Sequence, residues 1–109
     1  MKRRWLKLLP KEVVIDGITY PVKITKEHPV YGDKVCYGYI DYDFSEIKIV
    51  GTNHISRGCQ QQVLWHELLH GITHHRKINL PEEDVEDIID SLAWGLHALF
   101  VNNDWKEFE

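Results

Sequence analysis

The hydrophobic pattern changes its period once, near residue 56, and this change divides the chain into a strand-like half and a helical half. Before it, short runs rich in Val, Ile and Tyr alternate with turn residues, which is typical of β-strands. After it, apolar residues recur every three or four positions, which is typical of amphipathic helices. A chain of 109 residues has the size of one domain. The sequence therefore predicts a single α+β domain over residues 1–109.

The first predicted pair of strands lies in "EVVIDGITYPVKI", residues 12–24. Asp16-Gly17 is a dipeptide that favours a two-residue type I′ turn, because both turn positions require a positive φ. Pro21 falls inside the second run. Since proline cannot donate a hydrogen bond to a ladder, it predicts an edge position or a bulge.

A second pair of strands is predicted in "KVCYGYIDYDFSEIKIV". Residues 35–42 and 46–50 form the two runs, and residues 43–45 form the turn between them. The preceding stretch "KEHPVYGDK" is predicted to be a loop. Together the runs predict a mainly antiparallel sheet of three or four strands over about residues 12–50.

The first helical segment carries an apolar arc that is wider than a surface helix needs. On a helical wheel over residues 61–74, five large apolar residues share one side: Leu64, Trp65, Leu68, Leu69 and Ile72. The other side gathers titratable residues: His66, Glu67, His70 and His74. The pattern predicts a largely buried helix over about residues 58–75, with its polar side opening into a cleft.

A second helix is predicted over about residues 82–101, after the break at "INLPEED". Asn79 and Glu82 have the spacing of a capping box, and Pro81 stands where a first helical turn tolerates proline. The predicted core stripe consists of Val85, Ile88, Ile89, Leu92, Leu96, Leu99 and Phe100. One edge of that stripe carries Glu86, Asp90 and His97.

The stretch "LWHELLHGI" in the first helix has the H-E-x-x-H spacing of zinc hydrolases. His66 and His70 are four residues apart, which places their Cβ atoms about 5–6 Å apart on one helix face. Two imidazole nitrogens at that spacing can bind one zinc ion at ~2.0–2.1 Å each. Glu67 projects beside the ion, where it can act as a general base. Burying these three side chains without partners would be unfavourable, which argues for a metal and a water.

Zinc that keeps an open position for water needs a third protein ligand. The metzincin pattern would require Gly and His where this chain has Thr73 and Arg76, so that class is excluded. His74 lies one turn further on, but three ligands on one straight helix do not easily surround an ion. A carboxylate of the second helix fits better, and the candidates are Glu82, Glu83, Asp84, Glu86, Asp87 and Asp90. Periodicity does not choose between the two that border the apolar stripe, Glu86 and Asp90.

"LWHELLHGI", followed by "VEDIIDSLAWGLHALFVNN", resembles small zincin-like proteins of phages and prophages that are related to the ImmA/IrrE and SprT-like metallopeptidases. The strand-rich "YGYIDYDFSEIKIV" is similar to the sheet that precedes their active-site helix, and the resemblance spans roughly residues 12–103. It implies a zinc site of His66, His70 and the Asp90 of "DSLA". Because gluzincins typically have Glu at this position, the shorter Asp is a departure that keeps Glu86 as the alternative ligand.

The resemblance also implies an intracellular metallopeptidase that hydrolyses a peptide bond in a regulator protein, with Glu67 as the general base. Such sites commonly add a donor to the developing oxyanion, and the candidates are His97, Tyr37, Tyr39 and His54. An edge strand can hold an extended substrate by strand addition. Residues 35–42 or 46–50 are the predicted edge.

Composition excludes several other classes of function. A net charge of −4 gives no basic face for nucleic acid or an anionic membrane. The basic start "MKRRWLKLL" has too short an apolar stretch for a signal peptide and lacks a cleavage site, so a cytoplasmic location is expected. Cys36 and Cys59 form no paired metal motif or disulfide framework and are expected to be reduced thiols.

Two other functions stay open on the sequence alone. One is a zinc-stabilised binding module without turnover, and the other is a hydrolase of non-peptide amides or esters. A purely structural metal site has no use for a base such as Glu67, which favours an enzyme over a binding module.

Overall fold

A computed structural model describes residues 9–28, 30, 31, 34, 35, 37–52 and 55–105 of the chain. Six strands precede two helices along these residues. The elements are β1 (Glu12–Ile15), β2 (Ile18–Thr25), β3 (Val30–Tyr31), β4 (Lys34–Val35), β5 (Gly38–Asp41), β6 (Glu46–Val50), α1 (Arg57–His75) and α2 (Val85–Val101). The expected order of a sheet followed by two helices is confirmed.

Four of the strands form one mixed sheet in the order β1-β2-β6-β5. The outer pairs β1–β2 and β5–β6 are antiparallel, whereas the central pair β2–β6 is parallel. In that pair Ile24 lies opposite Ile49. The α+β class is therefore as predicted, but the parallel pairing is not. Turn signals reveal pairings between neighbouring strands, while a parallel pair joins segments that are distant in sequence.

The Asp16-Gly17 hairpin is confirmed, with φ values of 47° and 85° at the two turn positions. β2 as a whole lies inside the sheet between β1 and β6, but at Pro21 it pairs with β1 alone, so the edge position expected from Pro21 is found locally. The amide of Val22 donates to the carbonyl of Lys11 on the β1 side at 2.8 Å. Successive residues point their amides to opposite sides of a strand, so the Pro21 nitrogen faces β6. Pairing with β6 begins only at Val22, so Pro21 breaks no ladder bond.

The stretch predicted as a loop contains part of the short antiparallel pair β3–β4. The strand predicted for residues 35–42 is realised as β5 over Gly38–Asp41, and β6 matches its predicted range. The turn between them is held by the Asp41 carboxylate, which accepts hydrogen bonds from the amides of Asp43 and Phe44 at 3.0 and 3.1 Å. This Asx-type turn explains why β5 ends at Asp41.

The core lies between the sheet and α1. Its buried members are Ile15, Tyr20, Ile40, Ile47, Ile49, Val63 and Leu64. Full burial of each aliphatic side chain contributes roughly 1.5–3 kcal/mol. Gly71 lets α1 approach the sheet, because a Cβ at this position would lie 2.7 Å from the Cδ1 of Ile15.

The second helix begins three residues later than predicted, and the capping-box prediction is wrong. Asp84 occupies the N-cap position of α2 without a side-chain cap bond, and residues 82–84 form a turn. Within the predicted core stripe only Ile89 is fully buried, while Leu92 and Leu99 are exposed. Ala93, outside that stripe, is fully buried as well. The side of α2 that meets α1 is therefore rotated from the apolar stripe toward its acidic edge.

The first helix ends in a Schellman motif. The amide of Ile78 donates a hydrogen bond to the carbonyl of Thr73 at 2.9 Å, and the amide of Lys77 donates one to the carbonyl of His74 at 3.3 Å. Lys77 adopts the left-handed conformation that this motif requires, with φ of 54°. A non-glycine residue is strained in this region.

Replacing Lys77 with Gly should therefore raise the free energy of unfolding by about 0.5–1 kcal/mol, since glycine adopts positive φ without steric conflict. Urea denaturation followed by circular dichroism measures the change. Lys77→Ala is the matched control, because it removes the same side chain and keeps the strain. An equal gain from both variants would show that the Lys77 side chain, and not its backbone, is unfavourable.

Candidate metal centre

The first helix presents two histidines side by side, as the sequence predicted. Ser56 caps the start of α1, since its hydroxyl oxygen accepts a hydrogen bond from the amide of Cys59 at 3.1 Å. The helix then runs without a break through His66 and His70. Their Nε2 atoms face each other at 3.2 Å. Both nitrogens therefore point at one position on the surface of the helix.

Glu86 of α2 completes a group of three possible ligands. One carboxylate oxygen lies 3.1 Å from the Nε2 of His66, and the other lies 2.9 Å from the Nε2 of His70. Tetrahedral zinc with bonds of 2.0–2.1 Å separates its ligand atoms by about 3.3 Å. The observed separations are within a few tenths of an ångström of that value. We call His66, His70 and Glu86 the His–Glu cluster; it can hold a metal ion with little rearrangement.

Asp90 contacts the opposite side of the first histidine. Its Oδ1 lies 3.3 Å from the Nδ1 of His66 and accepts a hydrogen bond from the Nε2 of Gln62 at 3.0 Å. When Nδ1 carries the hydrogen and donates it to Asp90, Nε2 keeps the lone pair that a metal requires. The structure thus brings Glu86 to the Nε2 atoms of both histidines, and it places Asp90 at the Nδ1 of His66, where a carboxylate can orient the ring.

Glu67 is buried between α1 and the sheet, with 8% of its surface exposed. A Cβ at Gly38 of β5 would lie 3.3 Å from its Oε2, so the strand passes directly beside this carboxylate. Burial raises the pKa of Glu67 to about 7; the negative charge of Glu86 also raises it, while His66 opposes the shift. A carboxyl group that titrates near neutrality has the proton affinity of a general base and acid.

The electrostatics of the second histidine also suit metal binding. Burial lowers the pKa of His70, the neighbouring His66 lowers it further, and the carboxylate of Glu86 opposes both. The net downward shift favours the neutral imidazole, which is the form that binds a metal.

The members of the His–Glu cluster differ in their exposure to solvent. The side chain of Glu86 is 61% exposed, whereas that of His66 is 18% exposed. The carboxylate is therefore the exposed member of the cluster, whereas the neighbouring Glu67 is buried.

Tyr42 is a residue of this region that the sequence did not single out. Its ring stacks on that of His74, with centroids 3.7 Å apart. Burial raises the pKa of Tyr42 to about 12, and the charge of Glu67 contributes to the shift. The phenol therefore stays protonated and remains a hydrogen-bond donor. No motif marks this position, because it follows the end of β5 and meets His74 of α1 only in the folded chain.

Two of the predicted oxyanion donors lie apart from the His–Glu cluster. Tyr37 is exposed and its ring meets that of His28 edge to face. His97 lines a separate cavity of about 250 Å³. The other lining residues are Leu9, Pro10, Val13, Gln61, Leu64, Trp65, Leu68 and Phe100.

Of the four other residues that the sequence singled out, the structure describes Tyr39 and Cys59. Tyr39 follows Gly38 on β5, the strand that passes beside Glu67, and is partly buried. Among the two cysteines, Cys59 carries a free thiol. His54 and Cys36 lie outside the described residues.

Comparison with models of protein families, with curated proteins and with solved structures finds no match to this chain. Among the described residues, no helix combines the length and the apolar character needed to cross a bilayer.

The close passage of β5 beside Glu67 predicts that Gly38→Ala destabilises the fold by about 1–3 kcal/mol. The added Cβ would lie 2.4 Å from the Cγ1 of Val63, so the strand and the helix must separate. Urea denaturation of the metal-free protein measures the change. Gly95→Ala is the control, because a Cβ there meets no atom within 4 Å and alanine favours the helix. Equal stability of Gly38→Ala and the wild type would contradict the tight packing.

Proposed function

We propose that this chain is a zinc-dependent metallopeptidase of the zincin type, which hydrolyses a peptide bond in an intracellular protein. The observation that carries the proposal is the convergence of His66, His70 and Glu86 beside the buried carboxylate of Glu67. Two histidines and a carboxylate are the ligand set of gluzincin-type zinc hydrolases. The H-E-x-x-H spacing supports the same reading.

The three side chains of the His–Glu cluster are the proposed zinc ligands. Asp90 and Gln62 hold His66 in the tautomer that directs Nε2 toward the ion. A zinc ion with three protein ligands keeps a position open for water, lowers the pKa of that water and polarises a carbonyl oxygen.

Glu67 is the proposed general base. It is not one of the three ligand residues, and its raised pKa suits both acceptance and return of a proton near neutral pH. In the proposed reaction Glu67 accepts the proton of the attacking water and then transfers it to the leaving amine. Its burial against Gly38 fixes the carboxylate in place.

Tyr42 is the proposed donor to the oxyanion that develops on the peptide carbonyl. Its phenol stays protonated across the neutral range, and it lies close enough to Glu67 for their charges to interact. A fixed donor at this position stabilises negative charge without reorganisation.

The substrate is proposed to bind as an extended strand along β5. Among the described strands, β5 pairs only with β6 and so forms one edge of the sheet, whereas β6 is interior. An extended peptide added at this edge makes main-chain hydrogen bonds. Because Gly38 places the edge beside Glu67, such a peptide runs past the proposed base.

The ligand assignment predicts a graded loss of zinc affinity. His66→Ala and His70→Ala should abolish stoichiometric zinc, since two remaining ligands do not hold the ion tightly. Glu86→Ala should weaken binding by more than Asp90→Ala, for which loss of an orienting contact implies about 10–100-fold. Competition with a chelating dye measures the dissociation constants.

Asp87→Asn is the control for these variants, because this residue is an exposed carboxylate of the same helix turn and lies outside the cluster. Full zinc content in both histidine variants would refute the site. If Asp90→Ala lost the metal while Glu86→Ala kept it, Asp90 would be the third ligand.

The base assignment predicts that Glu67→Gln keeps zinc and the fold but loses peptide hydrolysis. The amide preserves the shape of the side chain and cannot accept the proton, so the rate should fall about 10²–10⁴-fold or more. Cleavage is measured as chelator-sensitive fragments from proteins of a host lysate. Retained cleavage in the Gln variant would exclude Glu67 as the base. A partner that binds both forms equally and is never cleaved would favour a zinc-stabilised binding module.

A further inference from the structure

The second helix carries an apolar face that the fold leaves open to solvent. Four residues recur on it every three or four positions: Ile88, Leu92, Leu96 and Leu99. Leu92 and Leu99 are about half exposed, at 51% and 48%. We call these four residues the α2 face. Leucines at this spacing are the side chains that a second helix packs against.

The segment that carries the α2 face, from the end of the Schellman motif to Trp105, is acidic. Residues 78–105 contain seven acidic residues and no Lys or Arg. Four of the acidic residues are exposed at or near the start of the helix: Glu82, Glu83, Asp84 and Asp87. Because no cation of the segment compensates them, the helix combines apolar contact surface with a negative potential.

The apolar contact surface and the negative potential together favour one kind of binding partner for the α2 face over the others. Two copies of α2 packed in parallel bring like charges near each other, which opposes association, and two copies packed antiparallel place each acidic start beside a helix end that has no Lys or Arg to pair with it. An anionic membrane surface is repelled for the same reason. A polypeptide that has both apolar side chains and Lys or Arg residues can pack against the leucines and pair its charges with the carboxylates.

We propose that the α2 face binds a basic amphipathic helix of a partner protein. The partner inserts apolar side chains at i, i+3 or i+4, and i+7 between the leucines, and its Lys or Arg residues lie over the acidic start of α2. The face is separate from the His–Glu cluster, which lies on the side of α2 that meets α1. The interaction is therefore independent of the proposed peptidase activity and of zinc.

A synthetic Leu/Lys peptide of about 14 residues with leucines at helical spacing is the probe, labelled for fluorescence anisotropy. Binding to the full chain is expected, and it should weaken as salt rises, because the charge contribution is screened. Two further peptides serve as controls. One replaces every Lys with Glu, and the other has the same composition with leucines at alternate positions. Both should bind at least about tenfold more weakly.

The matched variants are Leu92→Gln combined with Leu99→Gln, and Trp94→Gln alone. Trp94 is exposed to the same extent as Leu92, at 51%, but two helical positions place it about 200° around the helix axis. The leucine double variant should weaken binding about tenfold or more, while Trp94→Gln should leave it nearly unchanged. Circular dichroism establishes that both variants are folded.

Several outcomes would overturn the proposal. Unchanged binding by the folded leucine variant, or equal binding of the Glu peptide, would show that the α2 face does not recognise basic helices. A dimer in solution that the leucine variant converts to a monomer would assign the face to a second copy. If the probe binds only after Lys2, Arg3, Arg4 and Lys7 are replaced by Gln in the full chain, the occupant is the chain's own basic segment.

Discussion

The contact between the histidines of α1 and the carboxylates of α2 sets the rotation of α2 against α1, on which the candidate site and the exposed α2 face both depend. Glu86 reaches both His66 and His70, and Asp90 reaches the other nitrogen of His66. Polar groups on a partly buried surface need such partners, because leaving them unpaired is unfavourable. The acidic edge of α2 therefore turns toward α1, and Leu92 turns outward. One set of polar contacts thus accounts for the candidate metal centre and for the exposed α2 face.

On the opposite side of α1, close packing against the sheet, rather than polar contacts, limits which residues fit. Small residues stand where the helix and the sheet approach most closely, at Gly38 and Gly71. Larger residues there would lift α1 away from the strands and expose the core. The same close approach buries Glu67 against β5 and raises its pKa to about 7. The packing that stabilises the fold therefore also produces the electrostatics of the proposed general base.

Elements with strong local signals could be predicted from the sequence. The Asp16-Gly17 turn is specified by the need for two positive φ values, and α1 by large apolar residues that recur at helical spacing from Leu64 to Ile72. The parallel pairing of β2 with β6 could not be predicted, because no turn joins these strands. The start of α2 was misplaced, since Asn79 and Glu82 have the spacing of a capping box but lie before the helix.

The residues of the candidate site likewise fall into those that could be predicted from the sequence and those that could not. His66, Glu67 and His70 could be recognised from the sequence, because helix geometry alone places residues four apart on one face. The sequence by itself determined this local arrangement. Only the tertiary structure decided that Glu86 faces both Nε2 atoms, that Asp90 faces Nδ1 and that Tyr42 stacks on His74. These depend on how α2 is rotated and where β5 ends, and contacts between elements fix both, which no local pattern encodes.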